Sequence, residues 1–268
     1  MPDAGQVEVP LHGGFTNAGL VTRVGDTVRR PQRPTSAATH ALLEHLEHVG
    51  FEGAPRFLGV DDRGREVLSY IPGQAVFPPY PAWALTDEAL ISVAQLLRRY
   101  HQAVTTFDAG GHAWPRPVPP RFLGDIISHN DPNLDNVIFS AGRAVALIDF
   151  DLASPGSAVW DVACAARLWA PLRDESDAPG QLRGLALARL RTFVDAYGLP
   201  RQDRARVVDA MIDAHDWCYD IVREAVANGH DTFERIWRDG GRTRAERTVT
   251  WLAAHGAQMR DSLTQPRA

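Results

Sequence analysis

Apolar residues recur at intervals of three and four across residues 36–49, where Leu42, Leu43, Leu46 and Val49 share a face and Gly50 supplies a stop, so the pattern predicts one early helix. On either side the period shortens to that of strands, at 20–24 and 27–30 before it and at 56–60 and 67–71 after it, the later pair joined across a turn at Asp61 to Gly64. Pro72-Gly73 then opens a connector rich in proline and aromatic residues. A second helix is predicted from Asp87 to about Val104, capped by Thr86, with Leu90, Ile91, Ala94, Leu97 and His101 on one side. After a Gly/Pro loop at 105–120, two short apolar runs at 137–139 and 144–148 flank the turn Ser140 to Arg143. Helical periodicity dominates the remainder, near 158–170, 180–197, 203–228 and 242–263. The chain therefore reads as α+β, with a β-rich start and a helical end.

Residues 129–151 carry the densest chemistry. Asp131 and Asn136 stand five residues apart in an H-x-D-x4-N pattern that begins at His129, and Asp149 follows the second apolar run. The hairpin folds Asp149 back beside Asn136 and leaves Asp131 on the preceding loop, facing outward. A loose phosphoryl-transfer transition state requires positioning and charge neutralisation, hence hard oxygen ligands for Mg²⁺ beside an aligned base. Asn136 and Asp149 can supply the ligands, and Asp131 can supply the base. Asp and Asn also form turns by local hydrogen bonding, but turn chemistry requires neither His129 nor an acid at the end of an apolar strand. Asp151, two residues beyond Asp149, reads as an auxiliary or supporting acid. Asp161, after the Pro155-Gly156 turn, suits an N-cap or a support for the catalytic loop, with support the preferred reading.

This stretch resembles the motif of the aminoglycoside phosphotransferase and choline kinase-like family. The resemblance continues through residues 153–163 (Ala-Ser-Pro-Gly-Ser-Ala-Val-Trp-Asp-Val-Ala), 67–73 (Val-Leu-Ser-Tyr-Ile-Pro-Gly), 13–31 and 40–60. It implies a two-lobed protein-kinase-like fold, with a nucleotide-binding lobe over residues 1–72 and a catalytic and acceptor-binding lobe over 73–268. It also implies ATP, or alternatively GTP, as donor and Mg²⁺ as cofactor. By the same resemblance Asp131 is the catalytic base, Asn136 and Asp149 are the metal ligands, and Ser69, Tyr70 and Ile71 offer backbone groups to the base of the nucleotide. The glycine-rich run 13–19 is expected to cover the phosphates, although it is not a G-x-G-x-x-G string.

All 28 basic residues are arginine, so the strand lysine that pairs with nucleotide phosphates in this family is absent. Arg29 or Arg30 occupies the matching strand, and arginine, a bulkier planar fork, is not a conservative substitute. Glu44 and Glu47 are the candidates for the acidic partner on the following helix, with an exposed helix face as the alternative.

Composition narrows the function further. At 268 residues, 44% hydrophobic and 23% charged, the chain can bury a full core as one unit or two tightly joined lobes. A net charge of −5 without a basic block argues against a nucleic-acid binder. The first ten residues lack the pattern of a signal peptide and no apolar run reaches membrane-spanning length, so a cytoplasmic protein without membrane contact is expected. Cys164 and Cys218 are expected as buried free thiols, and His101 as a packed residue. Asp209, Asp213, Asp216, Asp220 and Glu224 form an acidic stripe at helical spacing, which either faces water or lines a cleft that attracts a cationic acceptor.

The sequence thus predicts an ATP-dependent O-phosphotransferase acting on a small, cationic acceptor such as an aminoglycoside-like or peptide antibiotic, in a monomer or homodimer. The alternatives are a kinase of Ser or Thr in a peptide and a non-catalytic nucleotide-binding regulator.

Overall fold

The computed structural model describes residues 7–11 and 19–266. Most of the glycine-rich run expected over the phosphates lies outside the described residues. The first element is an antiparallel sheet built from β1 (Glu8–Pro10), β2 (Thr22–Val24), β3 (Thr27–Pro31), β4 (Phe57–Val60) and β5 (Arg65–Ser69). Its strand order is β1-β2-β3-β5-β4, so β3 and β5 lie side by side at its centre with Arg30 directly opposite Glu66. Helix α1 (Ser36–His48) enters after β3 and buries Leu42, Leu43 and Leu46, the apolar stripe read from the sequence.

Helix α2 (Asp87–Ala103) is the axis of the remaining structure. Thr86 caps it by accepting a hydrogen bond from the Ala89 N–H at 3.2 Å, and Leu90, Val93, Leu97 and Tyr100 at spacings of three, four and three are fully buried. Against it pack α4 (Ala186–Tyr197) and the hairpin β7 (Val137–Ser140) and β8 (Arg143–Leu147). Ala141 and Gly142, both at positive φ, close that hairpin as a two-residue turn, the geometry that matches strand twist. Strands β6 (Ile126–Ser128) and β9 (Ser154–Gly156), which the apolar pattern did not reveal, pair antiparallel and bracket the catalytic segment. Helix α3 (Ala158–Trp169) follows and packs on α5 (Arg201–Ala227), which in turn meets α6 (Asp231–Ile236) and α7 (Arg242–Thr264).

Two boundaries differ from the sequence expectation for identifiable reasons. The helix expected over 180–197 begins only at Ala186, because Gly184 takes φ +75° and separates a short turn at Gly180–Leu182 from α4. The cap of α3 is Ser157, whose side chain accepts from the Trp160 N–H at 3.4 Å, so Asp161 is released from capping.

The connector that leaves the sheet is stitched onto the hairpin. Gln74 and Phe139 exchange both backbone hydrogen bonds at 2.9 Å. Gly73 makes this approach possible, at φ +151° and with so little room that an added Cβ would lie 2.5 Å from Ile138 Cγ2 and 2.6 Å from the Phe139 carbonyl oxygen. Gly73→Ala is therefore expected to lower the unfolding free energy by about 1–3 kcal/mol. Urea titration checks this, and an unchanged midpoint would show that the connector shifts freely.

Candidate active site

The loop between β6 and β7 is held from beneath by one buried carboxylate. Asp161, in the first turn of α3, accepts from the backbone N–H of His129 at 2.7 Å and of Asn130 at 2.8 Å, and its Oδ2 also meets His101 Nε2 at 2.8 Å. Burial alone would raise its pKa, but the hydrogen bond and charge of His101, with the His129 donor, win and hold it below the usual carboxylate range. His101 is thus a packed residue, as expected, and its partner lies 60 residues away.

Asn130 adopts the left-handed conformation at φ +68°, which places every polar group of its side chain in use. Its Nδ2 donates to the Leu152 carbonyl at 2.7 Å and to Ser154 Oγ at 2.8 Å, and its Oδ1 accepts from Trp160 Nε1 at 2.8 Å. His129 is fixed as a neutral tautomer by its neighbours. Its Nε2 donates to the Ile148 carbonyl at 3.1 Å, which leaves Nδ1 bare to accept from the Asp131 N–H at 3.3 Å. Burial pushes its pKa down, in keeping with the neutral ring.

Asp131 projects from this scaffold. Asn136 Nδ2 donates to its carbonyl at 2.9 Å and to its Oδ2 at 3.0 Å, while Asn133 Nδ2 donates to its Oδ1. Burial, then the charges of Asp149 and Asp135, push its pKa up to about 7, which suits proton acceptance near neutrality. With Nδ2 spent on Asp131, the amide oxygen of Asn136 is the atom left for a cation.

Asp149 ends the hairpin in a left-handed turn at φ +61°, which aims its carboxylate towards the sheet. There Arg30 spreads its guanidinium over three acids. Nε faces Glu66, Nη1 donates to Asp149 Oδ1 at 3.1 Å, and Nη2 donates to Asp151 Oδ1 at 2.6 Å. Burial would lower the Arg30 pKa, but Asp151, Asp149 and Glu66 together raise it, so the cation stays charged. Arg33 closes the other side of Asp151. Asp151 has its own pKa raised, first by burial and then by Asp149.

The structure separates the sequence candidates on the nucleotide side. Arg30 faces the catalytic hairpin, whereas Arg29, on the opposite side of the strand, contacts Thr27 and lies 3.7 Å from Asp61. Glu44 is exposed on α1, and Glu47 lies 3.5 Å from Arg56. The acid that meets Arg30 is Glu66, 1% exposed on β5 and held in turn by His40 of α1 at 2.7 Å. Its signal in the sequence was a glutamate alternating into the buried face of a strand. Among the three expected hinge residues, the N–H groups of Ser69 and Tyr70 are spent on the carbonyls of Arg56 and Asp26 at 2.9 Å. The Ile71 N–H has no backbone partner among the described residues.

The acidic stripe of α5 is largely paired. Arg260 holds Asp209 at 2.6 Å, Arg121 grips Asp213 with two donors, Arg223 meets Asp220, and Arg116 holds Glu224 at 2.7 Å. Asp216 stays exposed beside His215 at 3.2 Å and lines a 480 Å³ pocket with Trp237 and Arg242.

The donor set fits Mg²⁺. Asn136 and Asp149 offer hard oxygens, and the charge of Asp149 raises the pKa of Asp131, Asp135 and Asp151, a concentration of negative charge that a cation would relieve. Among the described residues no group of three or more His, Cys, Asp or Glu is gathered to hold a metal.

The chain resembles known proteins in sequence and in fold. The model of a phosphotransferase enzyme family matches residues 112–197, the span that contains Asp131, Asn136, Asp149 and Asp161. The trifolitoxin immunity protein of Rhizobium leguminosarum bv. trifolii is 34% identical, over 92% of this chain and 95% of that protein. Among solved structures, a choline/ethanolamine kinase family protein from Mesorhizobium loti aligns with a TM-score of 0.64 at 19% identity, over 97% of this chain and 93% of its own. The GDP complex of aminoglycoside 2'-phosphotransferase-IIIa aligns with a TM-score of 0.60 at 14% identity, over 96% and 95%. The fold is accordingly protein-kinase-like. Among the described residues no helix is long and apolar enough to cross a membrane.

Asp161→Asn leaves a donor facing donors in a fully buried site, and we expect it to lose about 3 kcal/mol of stability at pH 7. Because the folded pKa of Asp161 is depressed below 3.8, its contribution is present above that pH and lost as pH falls. The gap between wild type and variant should therefore close in acid, which denaturant titrations at pH 7 and pH 3 would check.

Proposed function

The chain belongs to the phosphotransferase enzyme family, and on that premise we propose that it transfers the γ-phosphoryl group of ATP, with GTP as a second donor, to a hydroxyl of a small acceptor. The observation that carries the proposal is the convergence of Asp131 and Asn136 on one loop with Asp149 at the end of the following hairpin, and with Arg30 directed at Asp149 from the sheet.

In this reading Asp131 accepts the proton of the acceptor hydroxyl as the new oxygen–phosphorus bond forms and the bond to the β-phosphate oxygen breaks, with ADP leaving. Asn136 and Asp149 would hold Mg²⁺, which when bound neutralises charge on the phosphates. Asn136 and Asn133 orient the Asp131 carboxylate, and Asp161 keeps the loop in position. Arg30 takes the place of the family's lysine and offers its fork to the phosphates once the three acids around it are redistributed. Residues 1–72 and 73–268 act as the nucleotide and acceptor sides, and Ile71 supplies the free hinge N–H for the base.

The name of the 34%-identical relative, an immunity protein, supports an acceptor that is a toxic or antibiotic molecule. The arginine pairing of the α5 acids removes the reason to assign Asp209, Asp213 and Asp220 to a cationic acceptor.

Thermal stabilisation by Mg²⁺ with ATP or GTP tests the donor site. Wild type and Asp131→Asn should both be stabilised, and Asp149→Ala should lose the Mg²⁺-dependent part. Phosphotransfer, with ADP release as the readout, should fall about 10²–10⁴-fold in Asp131→Asn. Full activity in Asp131→Asn would refute the role of the base, and absence of nucleotide binding in wild type would favour a non-catalytic chain.

A further inference from the structure

Helix α3 runs along the underside of the catalytic loop, and its residues reach that loop turn by turn. Asp161 binds the backbone of His129 and Asn130, and Trp169 Nε1 donates to the Pro132 carbonyl at 2.8 Å near the other end of the helix. Arg167 lies between these anchors, two turns beyond Asp161, and its charge reaches Asp131.

Arg167 lacks what almost every buried cation has. Its Nη2 reaches Cys218 Sγ of α5 at 2.7 Å, and its Nε is buried without a hydrogen-bond partner. Burial holds the Cys218 thiol pKa up, so the sulfur is neutral and supplies no counter-charge. Arg173 is half-buried on the segment after α3, which turns back so that the Leu172 N–H donates to the Arg167 carbonyl at 3.2 Å. Burial and then the like charge of Arg167 push its pKa down. Neither guanidinium has a carboxylate within salt-bridge distance among the described residues. Asp177, the nearest acid to act on Arg173, is gripped through both oxygens by Arg247.

Two neighbouring cations with no carboxylate in contact, half-buried near a proton acceptor whose charge is one of those that keep Arg167 protonated, leave guanidinium donors that a bound anion would fill. The other arginines of this region, Arg116 and Arg121, show what neutralised neighbours look like here, each held by an acid of α5. We propose that the acceptor carries an oxyanion, a carboxylate or a phosphate, close to its reactive hydroxyl, and that Arg167 and Arg173 bind it beside Asp131. The proposal rests on the phosphotransferase reading and names the class of acceptor: a hydroxyl-bearing anion, the reverse of a polycation. The planar fork of arginine suits both oxyanions, which is the recognition chemistry a lysine would not provide.

The test uses the full chain without nucleotide. Inorganic phosphate and gluconate, a hydroxy-carboxylate, are titrated with calorimetric and thermal-shift readouts, against neutral sorbitol and cationic kanamycin. The comparison proteins are Arg173→Gln, Arg167→Gln and Arg121→Gln. One or both anions should bind wild type, sorbitol and kanamycin should not, and Arg173→Gln should weaken anion binding by about tenfold or more. Arg121→Gln should retain it, because Arg121 is exposed and already gripped by Asp213. Whichever anion binds more tightly identifies the oxyanion. Equal anion binding by Arg173→Gln, its loss in Arg121→Gln instead, or binding of kanamycin alone would overturn the proposal. If Arg167→Gln fails to fold, Arg173→Gln carries the comparison, since its side chain lies on a loop. The anion readout does not pass through nucleotide. Failure of Mg²⁺ and ATP to bind would therefore count against the phosphotransferase reading alone, and failure of both anions would count against this proposal alone.

Discussion

A carboxylate fully removed from water holds the catalytic loop, and the rest of the site is arranged around that fact. Asp161 accepts two backbone N–H groups and meets His101, so the charge is compensated by hydrogen bonds instead of solvent. Its position in the first turn of α3 adds the favourable end of the helix dipole. Those bonds let Asn130 stay in a left-handed conformation, which in turn directs Asp131 outward. The same helix delivers Trp169 to Pro132 and Arg167 to the neighbourhood of Asp131. One helix thus fixes both the orientation of the base and the charge beside it.

Across the site, Arg30 does by geometry what a lysine could not. A guanidinium presents donors at its corners, so one side chain meets Glu66, Asp149 and Asp151 in separate directions, whereas an ammonium would gather all its donors at one nitrogen. The pairing is expensive to break, because each partner would be left as a buried, uncompensated charge. On the proposed function, nucleotide and Mg²⁺ would together replace what Arg30 now gives Asp149. The absence of lysine is therefore a redistribution of charge across the site, with Glu66 and His40 forming a support that α1 alone would not supply.

Local spacing made part of this visible in the sequence and tertiary placement hid the rest. Asp131, Asn136 and Asp149 were legible because one loop and one hairpin fix their relation, and a two-residue turn at Ala141 and Gly142 permits little else. Support by Asp161 was legible in kind, but His101 and the loop N–H groups that it binds lie 31–60 residues away and leave no local trace. Glu44 sits where a helix would present the partner acid, but the acid that meets Arg30 is Glu66, on the adjacent strand in direct register with it, a pairing that separation along the chain hides. The acids of α5 form one stripe at helical spacing, and Arg223 of the same helix meets Asp220, yet the partners of Asp209, Asp213 and Glu224 come from α7 and the 116–121 loop, which helical spacing cannot foresee. Helix α4 was drawn too long because a glycine at positive φ outweighs an apolar period.

The distribution of charge around Asp131 gives the two ligands different tasks. Burial, then the charges of Asp149 and Asp135, raises the pKa of Asp131. On the α3 side, Arg167 pulls that pKa down. On the proposed function a cation held by Asn136 and Asp149 would cancel part of the first effect and favour ionised Asp131, whereas an anion on Arg167 and Arg173 would cancel the second and restore its affinity for a proton. A base must be both unprotonated and willing to accept a proton, and neither ligand alone achieves this. With both in place, the ionised state is secured from one side and basicity from the other. On the proposed function Arg167 and Arg173 would thereby enter the charge balance of the transfer, which an acceptor without its own anion would leave incomplete.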